Sequence, residues 1–233
     1  MQASKKMTGI LWQTGSASSK THSFTTWLGE GLRYLLLFPA LRMITPIGVE
    51  GIEHVQGDGP YIFAANHASH LDTPVLLAAL PRRLRPRVQV AAAADYFFTS
   101  CWKSVPVRIL LNAFAFERQG PCCASSLLRA RQFLATGHSL IIFPEGTRTK
   151  DGQLQHFKKG VGKLALIEEV RVIPTWIDGT YTALPKGARW PHMQRVTVHF
   201  GVPLNFAGGA NPLNVAAEIE QHVCALATRT VSS

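Results

Sequence analysis

Residues 61–80 read YIFAANHASHLDTPVLLAAL. The run Tyr61–Ala65 is short, apolar and bulky, as a buried strand should be. It stops at Asn66-His67-Ala68-Ser69, a polar stretch suited to a turn. Leu71–Leu80 then has helical character, and Pro74 fits a helix only in its first turn. The whole stretch reads as a strand–turn–helix corner. On one continuous helix, His67 and Asp72 would point about 140° apart. Across a corner, the carboxylate in the first helical turn can fold back to the imidazole. It would fix the ring tautomer and favour imidazolium as charge develops, which leaves the other ring nitrogen to take a proton from a hydroxyl. His70 lies in the same turn and is the competing base. A surface histidine next to a helix-capping aspartate would have the same spacing, so the corner alone leaves both readings open.

Working outward, strands and helices keep alternating. Strands are expected at Arg87–Ala92 and Asn112–Phe116, the latter leading into Glu117-Arg118. Ser125–Ala135 is an amphipathic helix closed by Gly137. Leu140–Phe143 is a buried strand stopped by Pro144, followed by a polar loop through 156 and a helix over Val161–Glu169. Val170–Ile177 and Arg195–Phe200 are further strands. The last helix starts at Asn211-Pro212, a cap and first position, and repeats Val215, Ile219, Val223 and Leu226 at helical spacing. The expected fold class is α/β. A single domain over 47–233 would hold a central mixed, mostly parallel sheet flanked by helices. No internal repeat or linker divides it.

Ahead of this domain, residues 1–23 form a polar, Ser- and Thr-rich tail with no apparent signal peptide. Residues 24–46 read as an N-terminal amphipathic helix. Its longest uncharged run, Tyr34–Leu41, is far short of the ~20 apolar residues that span a bilayer. A helix lying in the membrane interface, with Trp27 and Tyr34 as anchors, is the expectation. Packing of the helix on its own domain is the alternative.

The chain has 233 residues, of which 46% are hydrophobic and 16% charged, which fits a folded domain and argues against disorder. Lys plus Arg exceed Asp plus Glu by 24 to 14, a net charge of +10, which favours an anionic partner. No nucleic-acid module is present and aromatics are not interleaved with the basic clusters, so nucleic acid is excluded as the partner. One cluster is Arg82, Arg83, Arg85 and Arg87; the other is Lys158, Lys159 and Lys163. Either could face anionic headgroups, hold phosphates or an acidic carrier protein, or be a solvated loop. The four cysteines match no zinc pattern and read as reduced thiols in a cytosol-facing protein.

Three more segments carry candidate chemistry. Phe143-Pro144-Glu145-Gly146-Thr147-Arg148-Thr149 follows a buried strand, at the strand end where α/β folds place ligands. Gly146 permits close backbone approach, Arg148 offers a planar fork for phosphate, and Thr147 and Thr149 offer hydroxyls. Phe116-Glu117-Arg118 could supply a second guanidinium. Val172-Ile173-Pro174-Thr175-Trp176-Ile177 is a strand that lines or supports the site.

In this order and spacing, the four segments resemble the lysophospholipid acyltransferase family of the 1-acylglycerol-3-phosphate acyltransferase type. NHASHLD at 66–72 looks like the first family block with its HxxxxD pattern, Phe116-Glu117-Arg118 occupies the second, FPEGTRT at 143–149 the third, and Val172-Ile173-Pro174 the fourth. The similarity spans roughly residues 47–205. By resemblance, His67 is the general base and Asp72 its orienting partner. Asn66, Arg118, Glu145, Gly146, Thr147 and Arg148 would bind the acceptor, with the arginines on its phosphate, and Pro174 would lie on the acyl-donor side.

The implied reaction is direct transfer of a fatty acyl group to a lysophospholipid hydroxyl, with acyl-CoA or acyl carrier protein as co-substrate and no metal or other cofactor. The implied partners are the lysophospholipid, the thioester donor and an anionic membrane surface, and the implied location is monotopic on the cytoplasmic face. Another lysolipid acceptor, such as an ornithine lipid or glycolipid, would use the same residues. A non-catalytic membrane- or carrier-binding module of the same fold is the reading from a different class.

Overall fold

The computed structural model describes residues 28–97, 101–117, 123–167 and 170–231. The polar tail expected over 1–23 lies outside the described residues, as does the start of the expected N-terminal helix.

Among the described residues, seven strands make one sheet: β1 (Ile47–Glu50), β2 (Tyr61–Ala65), β3 (Val88–Ala93), β4 (Ala113–Phe116), β5 (Ser139–Ile142), β6 (Arg171–Asp178) and β7 (Val196–Phe200). Their order is β1-β7-β6-β2-β5-β3-β4. Every neighbouring pair is parallel except β6 and β7. This is the mixed, mostly parallel sheet that the alternating pattern predicts. The central strands are apolar throughout because both faces are covered. In β2 all five residues are buried. Alternate side chains enter opposite layers: Tyr61, Phe63 and Ala65 join one core, Ile62 and Ala64 the other.

The helices divide between those layers. α1 covers 28–44 and includes a π-helical stretch, Arg33–Leu37. It and α2 (Asp72–Ala79) supply Phe38, Leu41, Val75, Leu76 and Leu77 to the first core. Two helices follow β3: α3 (Ala94–Phe97) and α4 (Cys101–Leu111). On the other face lie α5 (Cys123–Ala135), α6 (Lys159–Ala165) and α8 (Pro212–Val231), whose Val215, Ile219 and Val223 are buried at the expected spacing. A short turn, α7 (Thr180–Ala183), follows β6. Gly162 is where α6 meets the backbone of Pro212 at the start of α8, and a Cβ there would collide with that backbone. The helix starts at Lys159 and ends at Ala165, against the expected 161–169 span, whose last two residues lie outside the described ones.

The N-terminal helix is both packed and apolar on its outer side. Arg33 is buried, donating to the Leu110 carbonyl at 3.1 Å and to Glu30 at 2.6 Å, which ties α1 to α4. Leu35, Leu36 and Met43 point outward, 77%, 63% and 79% exposed. Among the described residues, no helix is long and apolar enough to cross a membrane.

The arginine cluster at 82–87 is divided: Arg85 is buried, whereas Arg82, Arg83 and Arg87 are exposed. Arg85 is buried and donates to the Leu80 and Ala78 carbonyls at the end of α2 and to the Tyr34 hydroxyl. Arg83 donates to the carbonyls of Val55 and Gly57. These two guanidiniums satisfy helix-end and loop carbonyls, and Arg85 is thereby withdrawn from the surface.

Candidate active site

Strand register brings the two polar turns together. β2 and β5 are parallel neighbours with Ala64 opposite Ile142. Three residues beyond each of these lie His67 and Glu145, so both turns leave the sheet at the same edge and level. This is the carboxyl end of the parallel strands, where α/β proteins place ligands.

The corner at 66–72 closes as its spacing suggests. Asp72 begins α2 and is fully buried. Its Oδ2 lies 2.8 Å from His67 Nδ1 and accepts the backbone N–H groups of Ala68 at 2.7 Å and Ser69 at 2.8 Å. Three donors on one oxygen hold the carboxylate in place and fix the adjoining imidazole. The His67 ring stacks on Phe143 with centroids 4.1 Å apart and planes inclined by 19°. With Nδ1 engaged, Nε2 is the nitrogen left for chemistry.

The turn at 143–149 grips the same residue by its main chain. Glu145 Oε1 accepts the His67 N–H at 2.6 Å, Oε2 accepts the Gln155 N–H at 3.1 Å, and the Thr149 N–H donates to the His67 carbonyl at 2.9 Å. Glu145 is only 3% exposed. Burial pushes its carboxyl up to about 7, against the opposing pull of the two backbone N–H groups; nearby Asp72 and Glu220 add to the rise. Gly146 adopts a left-handed φ of +74°, and the Lys158 side chain lies over it where a Cβ would stand. Glu220 of α8 secures the following loop, accepting the Phe157 N–H at 2.7 Å and pairing with His156 at 2.9 Å.

In front of His67 lies a cavity of about 1160 Å³. Its wall is mainly apolar, with Val90, Ala92, Val107, Leu111, Ile142 and Phe143 among the lining. Its polar border carries cations: Arg148, Lys158, Lys159, Lys163 and Lys186. Arg148 lies over the Tyr96 ring at 5.9 Å. His70 also borders the cavity, stacked on Tyr96. Desolvation, then the positive charge of Arg148, lowers its pKa to about 4. Among the described residues it has no carboxylate hydrogen-bond partner comparable to Asp72.

The expected residues therefore fall into two groups. His67, Gly146, Thr147 and Arg148 border the cavity, while Asp72, Glu145 and Asn66 lie behind it. Asn66 donates from Nδ2 to the Ile177 carbonyl at 3.0 Å and accepts the Ile177 N–H at Oδ1, 2.7 Å. Its amide braces the turn against β6. Arg118 lies outside the described residues. Pro174 borders not this cavity but a separate hollow of about 390 Å³. Lys186, Tyr96 and Phe97 were not singled out by sequence. They come from the 180–195 loop and from α3, and no spacing rule links them to His67. Among the described residues, no cluster of three or more His, Cys, Asp or Glu side chains could hold a metal.

Comparison with known proteins places this geometry in context. A model of the acyltransferase family matches residues 46–178. A 1-acyl-sn-glycerol-3-phosphate acyltransferase from Limnanthes douglasii is 31% identical over 162 residues, 69% of this chain and 55% of the relative. The alpha enzyme of that name from Mus musculus is 30% identical over 146 residues, 61% of this chain and 49% of the relative. The chain thus spans about half the length of these curated relatives. The crystal structure of the 1-acyl-sn-glycerophosphate acyltransferase PlsC from Thermotoga maritima has a TM-score of 0.60 at 25% identity, with 88% of this chain and 79% of that one covered.

Proposed function

This chain belongs to the acyltransferase family, and from that premise we propose that it moves a fatty acyl group from a thioester donor to the free hydroxyl of a lysophospholipid, with 1-acylglycerol-3-phosphate as acceptor and phosphatidic acid as product. The observation that carries this reading is the His67–Asp72 pair at the edge of an apolar cavity bordered by cations. The names of the relatives agree with it.

In this reading, His67 Nε2 takes the proton of the acceptor's 2-hydroxyl as the oxygen attacks the thioester carbonyl. Asp72 fixes the proton-bearing Nδ1 and stabilises the imidazolium that forms. The tetrahedral oxyanion collapses, the carbon–sulfur bond breaks, and imidazolium returns its proton to the departing thiolate. No side chain of the protein becomes acylated, because the substrate's hydroxyl is itself the nucleophile. Arg148 holds the acceptor phosphate with its planar fork, and Thr147 and Gly146 shape that end of the cavity. Arg118 would provide a second guanidinium. Glu145 and Asn66 act as positioning residues, since their polar atoms are spent on His67, Gln155 and Ile177. The apolar wall takes the acyl chain. Lys158, Lys159 and Lys163 suit the phosphates of the donor, coenzyme A or the phosphopantetheine arm of acyl carrier protein. No metal or other cofactor enters.

Both substrates are amphiphiles, and α1 turns Leu35, Leu36 and Met43 outward. The proposed location is therefore the surface of an anionic membrane, on the cytoplasmic face, with α1 lying in the interface. The test is incubation with labelled acyl-CoA or acyl carrier protein and a panel of lysolipids, with products identified by mass spectrometry. Phosphatidic acid from lysophosphatidate is the expected product. Free fatty acid with every acceptor would instead make the protein a thioesterase.

A further inference from the structure

The loop between α7 and β7 carries the sequence LPKGARWPHMQR at 184–195. Trp190 and Met193 are among its most exposed side chains, at 77% and 80%. Lys186, Arg189 and Arg195 accompany them, and the sequence has no Asp or Glu anywhere from 179 to 217. Backbone bonds shape the loop: Ala188 N–H donates to the Pro185 carbonyl at 3.1 Å, and His192 N–H to the Ala183 carbonyl at 2.7 Å. A tryptophan and a methionine held in water by a hydrogen-bonded turn, with three cations and no acid in their own stretch of chain, fit a partner that is apolar inside and anionic outside.

The position of the loop narrows the choice. At its start, the Leu184 carbonyl accepts the Ser69 hydroxyl at 2.7 Å, within the turn that carries His67. Lys186 borders the cavity. At its end, Val196 N–H donates to the Pro46 carbonyl at 3.0 Å, just beyond α1, whose last turn exposes Met43. The loop therefore runs between the reactive turn and the end of the apolar helix.

We propose that the 185–195 loop is a second contact with an anionic lipid bilayer, distinct from α1. Trp190 and Met193 enter the interfacial layer, while Lys186, Arg189 and Arg195 sit at the level of the lipid phosphates. Two contacts, α1 and a loop anchored to the turn that carries His67, fix how the cavity faces the lipid from which an amphiphilic acceptor arrives. The inference rests on the membrane location proposed above and adds to it a residue-level contact.

The full chain is mixed with phosphatidylglycerol–phosphatidylcholine vesicles whose acyl chains carry bromine, a quencher of nearby indole. Tryptophan fluorescence is compared between wild type and Trp190→Phe. The expected result is a quenched component in wild type that the variant lacks. The double variant W190S/M193S is expected to partition onto these vesicles roughly tenfold more weakly. Its turnover of short-chain substrates in free solution should be unchanged, and its circular dichroism native. Equal quenching in wild type and Trp190→Phe, or equal partitioning of the double variant, overturns the loop contact while leaving α1 as the membrane element. Equal binding of wild type to pure phosphatidylcholine vesicles overturns the role given to the cations. Failure of wild type to bind any vesicle overturns both the loop contact and the membrane location.

Discussion

Glu145 accepts the backbone N–H of His67 at 2.6 Å. The bond joins the turn after β5 to the turn after β2, so His67, the proposed base, is held by its main chain as well as by Asp72. One side chain thus ties together two stretches of sequence that lie 78 positions apart. Glu145 is a positioning group in this arrangement, and its own ionisation becomes measurable.

The carboxyl of Glu145 is pushed up from 4.5 to about 7 by burial. Between these values the folded state binds more protons than the unfolded chain, so this residue's contribution to stability falls as pH rises through that window and levels off above it. In Glu145→Gln the contribution should vanish. Urea midpoints at pH 5 and pH 8 will differ more in wild type than in the variant, with wild type gaining at pH 5. The same pH difference in both proteins would rule the linkage out.

Asp72→Asn separates charge from position. Oδ2 is the oxygen that takes His67, Ala68 and Ser69, so an amide oxygen can replace it without breaking these bonds. The variant should fold natively with a modestly lower melting temperature, since its NH2 replaces the buried Oδ1, which has no partner among the described residues. It should nonetheless lose roughly 10²-fold or more in kcat, because imidazolium is no longer stabilised by a negative partner. Undiminished kcat would mean that the aspartate only braces the turn at Ala68 and Ser69.

Arg148→Ala should act on acceptor use. Loss of a charge-assisted bond to phosphate costs about 1.5–3 kcal/mol, or a KM higher by roughly 10- to 100-fold. With a phosphate-free monoacylglycerol, the same substitution should leave KM unchanged. A KM for lysophosphatidate equal to wild type would remove Arg148 from the phosphate site.

Asn66→Ala should affect stability first. It strands the N–H and carbonyl of Ile177, both satisfied by the Asn66 amide. Leaving two buried main-chain groups unpaired costs about 2–4 kcal/mol. A denaturation curve will report this as a lower midpoint. An unchanged midpoint with a raised acceptor KM would instead make Asn66 a substrate ligand.

Much of this fold is legible in one dimension because its central strands are apolar and its punctuation is strong. Tyr61–Ala65 is bounded by a polar turn, the β5 run ends at Pro144, and Asn211-Pro212 starts the last helix. β1 has only four residues, all partly or well exposed, and so lacks that contrast. α4 was hidden by Pro106 inside it. At the site, His67, Asp72, Gly146 and Arg148 show through local spacing and the resemblance it supports. Glu145 and Asn66 also stand in the quoted segments, yet their bracing role depends on strand register, which places Ala64 beside Ile142 and Ala65 beside Thr175. The same holds for Lys186, which reaches the cavity from a loop more than a hundred positions beyond His67.

The most direct test of the account is acyl transfer by His67→Ala. Labelled acyl-CoA and lysophosphatidate are supplied to wild type and variant, phosphatidic acid is measured, and the melting temperature of each protein is recorded. The account predicts that the variant retains the wild-type fold, since the ring stacks at the cavity edge and the backbone bonds to Glu145 and Thr149 survive. It also predicts turnover lower by roughly 10³-fold or more, the loss expected when the base of such a pair is removed. Phosphatidic acid formed by the folded variant at a rate near wild type would contradict the assignment of His67 as the base.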